Sequence, residues 1–310
     1  MPLPKPLVIT SNHWCKWGTR GQMERTQGNA KRTVYAFLQE RSNYMRISFI
    51  TANYVAREVG FHMTEGWMQG DKAANDHYRP IDTYAARLEE LLALISDQGY
   101  DYVDFWTAHL HWSWATPNHI EIASMLLAKY GLTPLCYGGY FGDTIEEFTK
   151  ACATASAAGM RILAGSTAML KKDRAAVVAV LHQYDCKLAI ENHPGEKTPA
   201  DILQQIGDGA GGRIGTALDT GWWGTQGYDS VAAIHELYPH ILTMHLKDVL
   251  AAGAHDTCRF GRGVVPIEAC VRLLAEKGYT GPLAVEHEPD AYDPTPDCIA
   301  MRDMVTGWLA

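Results

Sequence analysis

No stretch of this chain holds the ~18 consecutive apolar residues that a membrane helix requires, although 47% of its residues are hydrophobic and the mean hydropathy is -0.17. The first ten residues place Pro2, Pro4 and Pro6 where a secretion signal needs an unbroken apolar region. Cysteine is sparse: seven in 310 residues, an odd number without close pairing, as expected of reduced thiols in a cytoplasmic protein. Basic charge is in deficit as well. A formal net charge of -8 leaves no cationic footprint for a nucleic acid. No G-x-G-x-x-G follows the first apolar run, so a dinucleotide-binding crevice is not indicated. Short repeats, low-complexity tracts and linkers are also missing. A cytoplasmic protein of enzyme size is what remains.

What is present is a rhythm. From Met45 onward, short apolar runs alternate with segments of helical period. Strands are predicted at residues 46–51, 102–106, 132–137, 160–163, 187–191, 213–218, 241–244 and 282–285. The intervening helices are predicted at residues 83–98, 118–129, 144–158, 171–183, 198–206, 228–237 and 266–277, with a last one at 297–308. Residues 53–80, rich in Gly, His, Met and Trp, read as a long excursion. Thr144 with Glu147, and Thr198 with Pro199 and Asp201, have the spacing of capped helix starts. Eight strand–helix units without a reversal predict an α/β chain of the (β/α)8 barrel type rather than an open doubly wound sheet. The barrel is expected over residues 46–310. Residues 1–45 are expected to be an N-terminal extension with one short helix near Thr33–Arg41, covering one end or edge of the barrel.

Four consecutive strands share a grammar. Lys187-Leu188-Ala189-Ile190 ends in Glu191-Asn192-His193-Pro194, and Ile214-Gly215-Thr216-Ala217-Leu218 ends in Asp219-Thr220-Gly221-Trp222. Ile241-Leu242-Thr243-Met244 runs into His245-Leu246-Lys247-Asp248, and Pro282-Leu283-Ala284-Val285 into Glu286-His287-Glu288. Functional groups of such barrels sit where the strands end, so Glu191, Asp219, His245 and Glu286 are expected to converge. Three carboxylates and one imidazole form a hard, oxygen-rich donor set. It suits a single Mn2+, with Mg2+ or Co2+ as alternatives, and leaves roughly two octahedral positions for substrate oxygens. Without a cation the carboxylates would repel one another. Glu288 faces the same side as Glu286, which is preferred because it lies nearer the apolar run.

These motifs, from about Met45 to the C-terminus, resemble the xylose-isomerase-like superfamily of sugar isomerases and epimerases. That group includes ketose 3-epimerases, inosose dehydratase, endonuclease IV and the metal subunit of bacterial C-glycoside deglycosidases. The resemblance implies the barrel, one divalent ion on the four residues named, and proton transfer next to a carbonyl. It departs at Trp222. Endonuclease-IV-like chains carry a histidine there for further zinc ions, and many ketose epimerases a substrate-binding histidine.

Other residues gather around the expected mouth. His193, two beyond Glu191, points to the same side and suits general acid–base work. His109 and His111 follow the second strand, and Lys247 follows His245 by two; all three are candidate substrate contacts. Arg259 and Arg262 lie in a glycine-bearing segment, 255–263, that reads as a substrate loop. Trp106, Trp112, Trp114, Trp222 and Trp223 cluster at strand ends and suit stacking on a sugar or flat aglycone. The expected reaction is sugar isomerisation or epimerisation through a metal-stabilised enediolate. Glu191 or His193 takes the proton and Glu286 returns one. A lyase acting on an oxidised (3-oxo) sugar or glycoside is the alternative. A small sugar or glycoside is the expected partner, without nucleic acid or membrane. A homo-oligomer is also expected, and a small accessory subunit is left open.

Overall fold

A computed structural model describes residues 45–310; the expected extension and its helix near Thr33–Arg41 lie outside the described residues. Eight parallel strands close into a barrel: β1 (Arg46–Ile50), β2 (Tyr102–Trp106), β3 (Thr133–Tyr140), β4 (Ile162–Ser166), β5 (Lys187–Glu191), β6 (Ile214–Asp219), β7 (Ile241–Leu246) and β10 (Pro282–Val285). β10 closes the ring between β7 and β1. β8 (Asp248–Val249) and β9 (Thr257–Cys258) form a small antiparallel hairpin beyond β7. The alternation read from the chain is therefore a (β/α)8 barrel.

Strand alternation sorts the core. Phe49, Val103, Leu163, Leu188, Leu218, Met244 and Leu283 point outward into the layer shared with the helices. Cys136, Ala164, Ala189 and Ala217 form a separate inner cluster of small side chains. Successive side chains on a strand change face, so Glu191 follows Ala189, and Asp219 follows Ala217, onto the inner side. Helix Ile81–Asp97 shows the outer packing: Leu88, Leu91, Leu92 and Ile95 are fully buried. Each is worth about 2 kcal/mol of transfer free energy. The six cysteines among the described residues are free and buried.

Helix starts follow the expected chemistry. Thr144 accepts from the Glu147 amide while the Glu147 side chain reaches back, and Thr198 and Asp201 do likewise. Three differences from the sequence expectation have physical causes. The excursion at 53–80 contains a helix, Trp67–Tyr78, whose buried positions are Gly70, Ala74 and Tyr78. Two of these three positions are small residues, so apolar periodicity does not reveal the helix; a Cβ on Gly70 would meet Met63 Sδ and the Val55 carbonyl at 2.8 Å. The helix expected at 171–183 is broken at Asp173, whose carboxylate caps the second piece by accepting from Ala176 N. β4 begins two residues later than expected and runs to Ser166, paired along its length with β3.

Candidate metal centre

The four expected ligands come together at the strand ends. Glu191, Asp219, His245 and Glu286 each offer an atom within 4.8 Å of the others, and all four are buried. Register explains the convergence: Asp219 pairs with His245 across β6–β7, and His245 pairs with Ala284, two before Glu286, across β7–β10. His245 Nδ1 lies 2.9 Å from Glu191 Oε1 and 2.8 Å from Glu286 Oε2. Such spacings match neighbouring donors about 3 Å apart around an ion held at about 2.1 Å.

Side-chain clamps extend the ladder beyond the strands. The Asn192 amide donates to the Asp219 carbonyl and accepts from the Asp219 amide, both at 2.9 Å, so it mimics a peptide between β5 and β6. Thr220 Oγ1 accepts from Lys247 N and donates to Lys247 O, joining β6 to β7. Asn53, beyond β1, takes His287 N and donates to the Val285 carbonyl. Asp219 Oδ1 also accepts from Trp222 N, capping the short helix Thr220–Gln226. Each ligand therefore stands on backbone whose polar groups are satisfied although buried.

Lys247 is the surprise of the site. Rather than standing free toward a substrate, its ammonium is buried, 3.3 Å from Asp219 Oδ2, 2.6 Å from Glu286 Oε1 and 3.1 Å from Glu288 Oε2. Gly221 makes this possible, since a Cβ there would come within 2.6 Å of the lysine stem. Asp248 accepts from the amides of Gly261, Gly263 and Val265.

The charges shift one another's protonation. Burial pushes the Asp219 carboxyl up to about 6 despite Lys247, and Glu288 up to about 7. At Glu286 burial also pushes upward, but the Lys247 and His245 charges outweigh it and hold the carboxyl below its ordinary range. His245 is raised, because the charges of Glu286 and Glu191 overcome its desolvation. Three buried carboxylates and an imidazole face one ammonium, and Asp219 Oδ2 and Glu286 Oε2 have ion-pair neighbours but no hydrogen bond. The surplus of negative charge and of unpaired oxygens fits a divalent cation.

A cavity of about 510 Å³ opens over this cluster. Its acidic floor includes Glu191, Glu286 and Glu288, and its walls include Trp67, Trp106 and Trp222. Trp67 Nε1 donates to Glu288 Oε1 and Trp106 Nε1 to Asp71 Oδ1, while the two indoles meet edge-on at 5.1 Å. Trp222 stacks on His255 with ring centroids 3.5 Å apart. His193 lies in the same cavity, its Nε2 3.7 Å from Glu191 Oε2.

Residues 55–304 match the xylose isomerase-like TIM barrel family. The chain belongs to this family. Within the xylose-isomerase-like barrels it is 36% identical over 72 residues to L-ribulose-5-phosphate 3-epimerase UlaE of Shigella boydii, spanning 23% of this chain and 25% of that one. The match thus spans a quarter of that epimerase's length. Among solved structures, a D-tagatose 3-epimerase-like protein superposes with a TM-score of 0.61 at 14% identity, over 86% of this chain and 97% of the other. The probable 3-DHS dehydratase AsbF of Bacillus anthracis gives 0.60 at 14% identity, over 84% and 99%. At those identities the likeness is one of fold.

Several expected substrate contacts of this family member lie elsewhere. His109 is fully buried, its Nδ1 3.0 Å from Thr51 Oγ1 and its ring on Tyr78, and burial pushes it down to about 3. His111 leans on Trp112 and accepts from Ser113 N. Neither lines the cavity, because β2 ends in a 3-10 turn, Thr107–His109, that carries both away from it. Arg259 turns to Asp297, 3.7 Å away, and neither Arg259 nor Arg262 lines the cavity. Pairing of β9 with β8 and the Asp248 clamp hold that segment as a hairpin rather than an open loop, and only its first residues, 255–257, reach the site. Trp112, Trp114 and Trp223 also fall outside the lining. Trp223 is wholly buried against Tyr228, and Trp114 bonds to Asn75. Trp67, Met68 and Asp290 were not foreseen, whereas His255 belongs to the segment expected to reach the substrate. Trp67 and Met68 sit on the helix that small residues concealed.

Proposed function

We propose that this chain is a divalent-metal-dependent sugar isomerase or epimerase that moves a proton next to a carbonyl. The observation that carries the reading is the convergence of Glu191, Asp219, His245 and Glu286 beneath a sugar-sized cavity. A bound ion, best Mn2+ and otherwise Mg2+ or Co2+, would polarise the substrate carbonyl and hydroxyl. The protein's own groups do the rest. Glu191 and His193, side by side at 3.7 Å, form one proton station, in which either takes the proton from the carbon next to the carbonyl. Glu286, held by Lys247 at 2.6 Å, forms the other and relays a proton drawn from solvent in the open cavity. Return to the same carbon epimerises, and return to the next isomerises. Lys247 supplies a fixed positive charge toward the substrate oxygens, and Trp222 forms a wall for the sugar's C–H face. The names of the epimerases among its relatives and structural neighbours agree with this reading.

A second reading, a lyase acting on an oxidised sugar or glycoside, is favoured by the tryptophan walls, which suit a larger or flatter ligand than a small ketose. One experiment separates the two. The Mn2+-loaded protein is incubated with keto-sugars and 3-oxo-glycosides in D2O and followed by proton NMR. Exchange at the carbon next to the carbonyl without elimination is expected. Release of water or an aglycone would establish the lyase, and neither exchange nor release would remove both.

A further inference from the structure

Charge around the cavity says which sugars can enter, given the reading of the site as sugar-handling. The carboxylates of Glu191, Asp219, Glu286, Glu288, Asp256 and Asp290 stand in or directly around the cavity. Against them the described residues offer one ammonium, Lys247, already engaged by three of these groups. The two arginines that could have met an anion are absent from the lining, and Arg259 faces Asp297. Helix Thr220–Gln226 points its N-terminus at the site, but Asp219 already takes its Trp222 amide. A divalent ion on the floor would still leave carboxylates in excess. Asp256 and Asp290 are exposed, and their backbones are tied by Leu250 N and Met63 N, so their charges stay at the rim.

We propose that the cavity takes an uncharged sugar or glycoside and rejects sugar phosphates, with Asp256 and Asp290 as the residues that set this preference. The relative UlaE is named for a phosphorylated ketose; this chain differs from that name in the charge its substrate carries. A phosphate brings up to two negative charges into a low-dielectric mouth already negative, with no lysine or arginine among the described residues free to meet it. An uncharged sugar meets the same carboxylates as hydrogen-bond acceptors and the indole faces as stacking surfaces.

The test compares free ketoses with their terminal phosphate esters on the Mn2+-loaded full chain, reading solvent exchange by NMR. The free sugar is expected to exceed its ester in kcat/KM by about tenfold or more. The double variant Asp256→Asn/Asp290→Asn should narrow that ratio by about threefold or more, mainly through the ester, and added salt should narrow it too. An ester handled as well as the free sugar, or a ratio unmoved in the double variant, would overturn the proposal while leaving the sugar-handling site intact. Should no ketose exchange at all, that function fails separately. Quenching of tryptophan fluorescence by free sugar and ester then reads the preference directly: tighter binding of the free sugar sustains it, and tighter binding of the ester defeats it.

Discussion

The barrel mouth has two unlike halves. β5, β6, β7 and β10 carry Glu191, Asp219, His245 and Glu286 at or next to their ends, and the backbone there is stitched by Asn192, Thr220 and Asn53. At or just past their ends β1 to β4 carry Thr51, Trp106, Tyr140 and Ser166, without a cluster of charge among the described residues. Charged groups that must crowd together need rigid footing, because any slack lets them relax apart. The uncharged half needs only to supply surface. It does so with Trp106 and with Trp67, borrowed from the helix inserted after β1.

Breaking the charged half should have the largest effect. Glu191→Gln and Asp219→Asn are each expected to weaken Mn2+ binding by about a hundredfold or more by calorimetry and to abolish solvent exchange. Ser166→Ala, at the end of β4, should leave both unchanged. Equal sensitivity of the two halves would refute the contrast.

The stitching comes next. Asn192→Ala strands the buried Asp219 amide and carbonyl, at about 3–4 kcal/mol in denaturant unfolding, and should also weaken Mn2+ binding by about tenfold. If only stability falls, the clamp does not orient the ligand.

The smallest effect concerns the floor where the halves meet. Asp104, on β2, is buried inside the barrel, and burial pushes its carboxyl up to about 6, outweighing the His245 charge and the Cys136 amide. Because the neutral form is favoured in the fold, its contribution is full below the unfolded value of 3.8 and is lost as pH rises through about 6. Asp104→Asn should remove this slope, flattening stability between those pH values by at most about 3 kcal/mol. A variant with the wild-type pH profile would place the titration elsewhere.

Legibility in the chain tracked how local each cause is. Glu191 and Asp219 could be read because strand period alone puts them inward, two after Ala189 and Ala217. Capped starts such as Thr144–Glu147 lie within one turn. Trp67 could not be read, since its helix buries Gly70 and Ala74 through close approach rather than apolar area. Nor could the departure of His109 and His111, which depends on a 3-10 turn after β2. Arg259 and Arg262 read as substrate contacts in the chain, but the Asp248 clamp and β8–β9 pairing turn them aside.

The order of residues settled the barrel and the four groups offered at the ends of its later strands. Both follow from periodicities of two and 3.6 that any short window displays. Packing alone decided that Lys247 lies buried among Asp219, Glu286 and Glu288, and that the cavity is walled by tryptophan and rimmed by carboxylates. Those placements arise from contacts between side chains far apart in the chain, which no local pattern records.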